Sequence, residues 1–394
     1  MGDWYPPLTV VLCLALLVGL TAWLEIKRVN KAELKVKEKI ERQKHLVETI
    51  NLAQHTWTAK YNRFSEESAP TKDWLSNDPL PSAYREAAFN LINDNYYNFT
   101  LKYLEWLQRQ SVDIPASFDA RQKWSNCWTV HRIFNQGGCG SCWAVAASSV
   151  MSDRICIHSN GTLQPVISVQ DLVSCCARSF SCQGSVSSYP AFEHWRSQGI
   201  VSGGSFGSSE GCKPYTISSE CGSPCSAKYY SKRNTPKCQR TCASTYSKSY
   251  NDDLHFGGMY YALTLERLGY KHNVSTAFSD LQLLTKKELL LHGPIVVCFS
   301  VHEDFQHYSS GIYYRVYKSR QYEGVGDELY GHCTRLIGWG QEGGIRYWLL
   351  ANSWGRGWGE NGLYRIKHDA LPLELTAALP KFASIPELAE WFVD

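Results

Sequence analysis

Cys142 has the setting of an activated nucleophile. It is the next-to-last residue of the stretch Gln136-Gly137-Gly138-Cys139-Gly140-Ser141-Cys142-Trp143, and the Ala-rich apolar run that follows (AVAASSVMSDRICI) has helical spacing. A thiol in the first turn of a helix meets unpaired N–H groups and the positive end of the helix dipole, which lower its pKa and favour the thiolate. The glycines ahead of it allow a close backbone approach. Far downstream, Gly331-His332 leads into a strand-like run, and Asn352-Ser353-Trp354-Gly355 follows another. An imidazolium beside a thiol stabilises the thiolate and can later protonate a leaving amine, and an amide carbonyl can hold its ring. A CxxC disulfide or redox pair beside an unrelated His and Asn would explain only one of three ordered motifs. The other histidines, among them His131, His158, His302 and His307, lack such a setting and are expected at the surface or in structural roles.

The elements that position these residues need an oxidising compartment. The 394 residues hold 15 cysteines, and all but Cys13 lie at or beyond Cys127. That density points to disulfides, so Cys175, Cys176 and Cys182 read as bridge partners and no metal or other cofactor is implied. The balance of 40 basic and 37 acidic residues, net +3, argues against a nucleic-acid partner. Leu8 to Leu24 is a nearly unbroken apolar run, short for a membrane span and long enough for a signal-peptide core. Residues 1–24 therefore read as a signal peptide. An uncleaved anchor is the alternative, because no Lys or Arg precedes the run and Leu20-Thr21-Ala22 is an imperfect cleavage site; only then is a membrane involved. Sequons at Asn98, Asn160 and Asn273 fit a secretory route, with a lysosomal or extracellular destination.

Residues 25 to about 55 carry Lys, Glu and apolar residues without Gly or Pro and read as a charged helix. A polar, cysteine-free stretch follows, and the composition changes near Asp113-Ile114-Pro115. Residues 25–111 thus look like a propeptide and 112–394 like the catalytic domain. Ile295–Val301 and Arg346–Leu350 are β-prone runs with glycines nearby.

The chain resembles the papain-like cysteine peptidases, and within them the cathepsin B-like branch. The residues that carry the likeness are T-W-x-A-x-x-N-x-F at 56–64, I-P-A-S-F-D-A-R at 114–121, Q-G-G-C-G-S-C-W at 136–143 and Asp153-Arg154-Ile155-Cys156-Ile157-His158. Cys175-Cys176, Gly211-Cys212-Lys213-Pro214-Tyr215, Thr235-Pro236-Lys237-Cys238, Gly293-Pro294, G-H-x-x-R-x-x-G-W-G at 331–340 and N-S-W-G at 352–355 complete it. The resemblance implies an α+β fold of two lobes, a helical left lobe presenting Cys142 and a β-barrel-like right lobe presenting His332 and Asn352. It implies a zymogen whose propeptide inhibits it, peptide or protein substrates, and cystatin-type inhibitors as partners. Gln136 would donate to the oxyanion with the Cys142 N–H, and Trp354 would shield the His332–Asn352 hydrogen bond. The family's pairing implies bridges Cys127–Cys156, Cys175–Cys238, Cys212–Cys242 and Cys221–Cys225. Cys182 pairs with Cys139 or Cys176, with Cys139 favoured and one thiol left over.

Three departures from the family pattern bear on function. The loop Cys221-Gly222-Ser223-Pro224-Cys225 is too short to cap the cleft and lacks the histidines that bind a substrate C-terminus in cathepsin B, which implies an endopeptidase with little dipeptidyl carboxypeptidase action. Cys182-Gln183-Gly184-Ser185 replaces a glycine-rich cleft floor. Cys298 and Cys333 fall where the family lines the pocket for the second residue before the cut. They read as two buried free thiols, the commoner state for this residue type, or as a disulfide across that pocket. Glu374 aligns with the acid that admits Arg there. A catalytically silent binding or matrix homologue is the competing function, since a fold alone does not establish activity.

Overall fold

The computed structural model describes residues 8–53, 55–62, 94–179, 181–185, 187–219, 235–263, 274–316, 328–370 and 374–391. The expected Cys221–Cys225 bridge with its loop, and the Asn273 sequon, lie outside them.

Small and apolar residues on every side make Cys142–His158 a helix with no polar face, and such a helix belongs inside. Only Ser149 and His158 of its residues escape full burial. Its labelled neighbours in chain order are α1 (Leu8–Ala53), α2 (Asp94–Arg109), α3 (this helix), α4 (Val169–Cys175), α5 (Tyr189–Ser197) and α6 (Val274–His292). Trp143, Val150 and Met151 of α3 pack with Leu172 of α4 and Phe192 and Trp195 of α5 in the core of the helical lobe.

The second lobe is built on strands β1 (Trp57–Ala59), β2 (Phe118–Asp119), β3 (Gly257–Leu263), β4 (Ile295–His302), β5 (Tyr308–Tyr313), β6 (Glu328–Glu342), β7 (Ile345–Ala351), β8 (Leu363–Lys367) and β9 (Glu374–Pro380). Their order is β1-β5-β8-β7-β6-β4-β9-β3, with β2 on β6; β5 and β8 run parallel and the other pairs antiparallel. The expected barrel is not formed. The sheet stays open because its two outer strands do not meet; α2 and α5 pack on β3, and β1 caps the other end. Covering an edge protects its unpaired backbone as closure would. Long β6 serves both halves, pairing with β4 up to Leu336 and with β7 from Arg335 onward.

Two consecutive residues of α3 fasten the lobes together. Asp153 pairs with Arg335 of β6 at 2.6 Å, and Arg154 pairs with Glu288 of α6 at 2.8 Å, all four side chains being buried. Arg154 also donates to the Pro294 carbonyl and to the Tyr261 hydroxyl.

The N-terminal segment docks on the sheet lobe through the residues of its T-W-x-A-x-x-N motif. Trp57 stacks on Tyr308 and meets Tyr313 edge-on, while its indole N–H donates to the Tyr314 carbonyl. Ala59 is buried and clasped at both backbone atoms by the Asn51 side chain, and Asn62 donates to the Gln306 carbonyl. From α1, Gln43 bridges Glu303 and His307. Gly311 is required opposite Trp57: its φ is +94°, and a Cβ there would lie 2.6 Å from the Trp57 Cα. Among the described residues no helix is long and apolar enough to cross a membrane.

Gly311→Ala is therefore expected to weaken this docking by about 1–3 kcal/mol, the usual cost of forcing such backbone on an L residue. Limited proteolysis of the full chain checks it: residues 8–62 should be cut faster than in the wild type, and equal protection would contradict the placement.

Candidate active site

Three backbone N–H groups, those of Cys142, Trp143 and Cys333, face the Cys142 sulfur. The first two belong to the start of α3, where Ser141 caps without its side chain. Its hydroxyl is used elsewhere. Tyr215 donates to the Gln136 carbonyl at 2.9 Å, so its own oxygen accepts from Ser141 at 2.8 Å. That chain ties the helix start to the loop before it. Gly137, at φ +60°, lets this loop pass under Ser218, whose carbonyl would lie 2.4 Å from an added Cβ.

The third N–H comes from the sheet register. Cys298 and Cys333 stand directly opposite each other on β4 and β6 with Cα atoms 4.0 Å apart, the narrow kind of antiparallel pair. In such a pair the N–H groups point away from the partner strand. On that outer side β7 has already ended at Ala351, opposite Arg335, so the Cys333 N–H is left for the Cys142 sulfur.

His332 precedes Cys333 on β6, and its Nε2 lies 2.7 Å from Asn352 Oδ1. The Ser353 backbone N–H donates to the same atom at 2.8 Å, which identifies it as the amide oxygen. Nε2 therefore carries the ring proton, and Nδ1 is the basic nitrogen. Trp354 stacks on the imidazole at 4.7 Å, with Trp358 edge-on to Trp354 and Phe299 edge-on to His332. The Gln136 side chain is held at both ends: Nε2 donates to the Cys139 carbonyl at 2.8 Å, and Oε1 accepts from the Ser353 hydroxyl at 2.7 Å. One Nε2 hydrogen remains for a ligand. Cys142, His332, Asn352, Gln136 and Trp354 are thus brought to one place.

The electrostatics of this form differ from the expectation of a lowered thiol pKa. Burial pushes the Cys142 thiol up, against the pull of its three N–H groups, and burial holds His332 down to about 4 although Asn352 favours its charge. With Cys142 6% exposed and His332 2%, both charged forms lack water. Burial thus favours the neutral thiol and the neutral imidazole in this structure.

The structure forms Cys127–Cys156, Cys139–Cys182, Cys175–Cys238 and Cys212–Cys242, and leaves Cys176 a buried free thiol that donates to the Pro190 carbonyl. It also joins Cys298 to Cys333, replacing the favoured reading of two free thiols, because register places them face to face. Glu374 of β9 is the next residue in that row, opposite Cys298. Asn160 and Asn98 are exposed, Asn160 at a turn with φ +52°. His158 and His307 are structural, stacked on His292 and bonded to Gln43 respectively. Sequence reasoning assigned no role to Ser353, Tyr215, Asp153 or Arg335. All four sit inside the quoted motifs, so their positions were visible while their partners were not.

Residues 114–374 match the papain family cysteine protease model. The chain belongs to that family. Among its relatives in Caenorhabditis elegans are the cathepsin B-like cysteine proteinase 3, 37% identical over 82% of this chain and 78% of the relative, and a gut-specific cysteine proteinase, 36% identical over 82% and 84%. Among solved structures it is similar to procathepsin B S9 of Trypanosoma congolense, at 26% identity and TM-score 0.59, covering 86% of this chain and 98% of that one. Procathepsin L2 of Tenebrio molitor shares the fold at 20% identity and TM-score 0.59. The chain is a cathepsin B-like cysteine peptidase, and the two solved structures named are proforms, which implies a propeptide of its own beside the peptidase domain.

Because exclusion of water sets both shifts, alkylation of Cys142 should be slow in the full chain, with a pH midpoint above the ordinary thiol range. After proteolytic removal of the propeptide it should speed up at least about tenfold, with the midpoint moving to neutral or below. Peptide-level mass spectrometry of iodoacetamide labelling reads both, and identical profiles would contradict the closed-state account.

Proposed function

We propose that the processed chain is an endopeptidase in which the Cys142 thiolate attacks the scissile carbonyl. The observation that carries this is the set of three backbone N–H groups at the Cys142 sulfur, one of them from Cys333, the residue that follows the Asn352-held His332 on β6. His332 Nδ1 takes the thiol proton once water re-enters the cleft, then gives it to the leaving amine; Asn352 holds the ring and Trp354 keeps water off that bond. The tetrahedral oxyanion is bound by the Cys142 N–H and the free Nε2 hydrogen of Gln136, and losing one such donor costs about 3 kcal/mol in barrier. Water then hydrolyses the thioester. The opposed Cys333–Cys298 pair supports a pocket for the second residue before the cut, narrowed by the disulfide, and the Glu374 position is in register with Cys298 on β9. The three-residue loop between Cys221 and Cys225, without histidine, supports endopeptidase action over dipeptide release. The domain limits proposed are 1–24 signal peptide, 25–111 propeptide and 112–394 peptidase, in a secretory, lysosomal or extracellular setting that suits the five disulfides among the described residues. Glycans at Asn98, Asn160 and Asn273, and cystatin-type inhibition, belong to the same reading.

Mapping cuts in a mixed peptide pool at mildly acidic pH tests it. Internal cuts lost in Cys142→Ala are expected, and Gln136→Ala should lower kcat about 10²–10³-fold. Dipeptide release rivalling internal cleavage would overturn the endopeptidase assignment, and no cuts at all would favour a silent binding homologue.

Docking of the propeptide should weaken on acidification. His307 lies under α1 beside Gln43, and His292 under α2 beside Tyr103 and Trp106; burial holds each imidazole down to about 4. An exposed imidazole protonates near pH 6.5, so docking that needs both neutral is complete above that value and is lost as the pH falls towards 4. Around His292 stand Glu288, Arg154, Lys123 and His158; near His307 on the same turn stand Glu303 and Asp304, whose carboxyl burial raises to about 6. Asp304 accepts from the Tyr313 hydroxyl and the Val316 N–H within the sheet lobe, without a bond to α1. A His307→Gln, His292→Gln chain should keep its propeptide protected from an added protease at pH values where the wild type is cut. Identical pH dependence would contradict the assignment.

A further inference from the structure

We propose that the Cys298–Cys333 disulfide is a positioning element of the catalytic centre, so that the enzyme needs this pair oxidised while Cys142 is reduced. The inference rests on the endopeptidase reading above and goes beyond pocket width.

Cys333 carries two attachments in opposite directions. Its sulfur is bonded to Cys298 on β4, and its backbone N–H faces the Cys142 sulfur on the other side. The residue before it is His332, and the residue after Cys298 is Phe299, which stands opposite His332 and meets its ring edge-on at 6.0 Å. The crosslink therefore fixes β4 to β6 at the one register position that aims both the imidazole and an N–H at the nucleophile. The flanking support is one-sided there, because β7 ends opposite Arg335. On that outer side no ladder hydrogen bond from β7 holds β6 at His332 or Cys333, so the link to β4 carries the positioning. Misplacement of a catalytic group by about 1 Å typically costs 10²-fold in rate.

The two redox demands are opposed. A small-molecule thiol, added to keep Cys142 reduced, attacks the partly buried Cys298 sulfur as thiolate and breaks the Cys298–Cys333 bond, leaving a mixed disulfide on Cys298 and a thiolate on Cys333 that takes a proton. A second thiol resolves the mixed disulfide. Two electrons pass to the protein pair, which ends as two thiols, and the two reductant molecules leave as one disulfide. Activity against thiol concentration then rises as Cys142 is freed and falls as the pair opens.

The test compares processed wild type with Cys298→Ala/Cys333→Ala and with the closer isostere Cys298→Ser/Cys333→Ser. Each is measured for kcat, KM and the pH dependence of kcat/KM. Disulfide mapping is done at each step of a thiol titration of the wild type. The expected result is a fall in kcat of about tenfold or more in both variants, with the acid limb of the profile moved up by about one unit as the thiolate loses its aligned N–H and imidazolium. The wild type should show the same shift as mapping reports Cys298 and Cys333 opening. If the variants misfold, the wild-type titration alone decides. An unchanged pH profile, a kcat loss without movement of the acid limb, or alkylation of both cysteines in fully active enzyme would overturn the proposal. Absence of Cys142-dependent hydrolysis in the oxidised wild type would instead overturn the endopeptidase reading on which it rests.

Discussion

The buried ion pair between Asp153 and Arg335 is the contact on which the site depends. Asp153 lies on α3, the helix that begins with Cys142, and Arg335 lies on β6 three residues beyond His332. The same guanidinium donates to the carbonyls of Thr129, Val130 and Arg132, the segment that leads to Gln136. One side chain thus sets the helix of the nucleophile, the strand of the imidazole and the approach of the oxyanion donor against each other. Burial pushes the Asp153 carboxyl up, and the Arg335 guanidinium at 2.6 Å opposes it. Losing one partner of such a pair typically costs about 3–5 kcal/mol, because the other charge is stranded. The neighbouring Arg154–Glu288 pair repeats the clamp on the far side of the helix and extends it to α2 through Tyr103, which bonds to Glu288 and stacks on Tyr261.

Water is the second control. A thiolate and an imidazolium are stable together only where solvent or fixed dipoles compensate both charges. Three N–H groups and the Asn352 carbonyl supply the dipoles, yet burial outweighs them while the chain is intact. The catalytic parts are assembled in this structure in an environment that favours their neutral forms.

Much of the site was legible in the sequence because its chemistry is local. A thiol at a helix start, a histidine leading a strand and an asparagine beside a tryptophan each carry their meaning in a few residues. Trp57, Ala59 and Asn62 were visible for the same reason, although only the structure shows that Gly311 makes room for them. Long-range facts were not legible. The Cys298–Cys333 bond depends on the register of two strands, β4 and β6, with β5 between them in the chain, and buried free thiols are common enough to favour the opposite reading. The depressed His332 pKa depends on its burial among Phe299, Asn352 and Trp354, which no single motif records. The open sheet likewise follows from how α2, α5 and β1 cover its edges rather than from the strands' own sequence.

The most direct test of the central claim, a Cys142 thiolate acting with His332, is acid-quenched intact-mass analysis of processed enzyme turning over a slow ester or peptide substrate. The account predicts an acyl group on Cys142, placed there by fragmentation and absent from His332→Ala. Turnover without an adduct on Cys142, or an adduct formed equally well without His332, would contradict it.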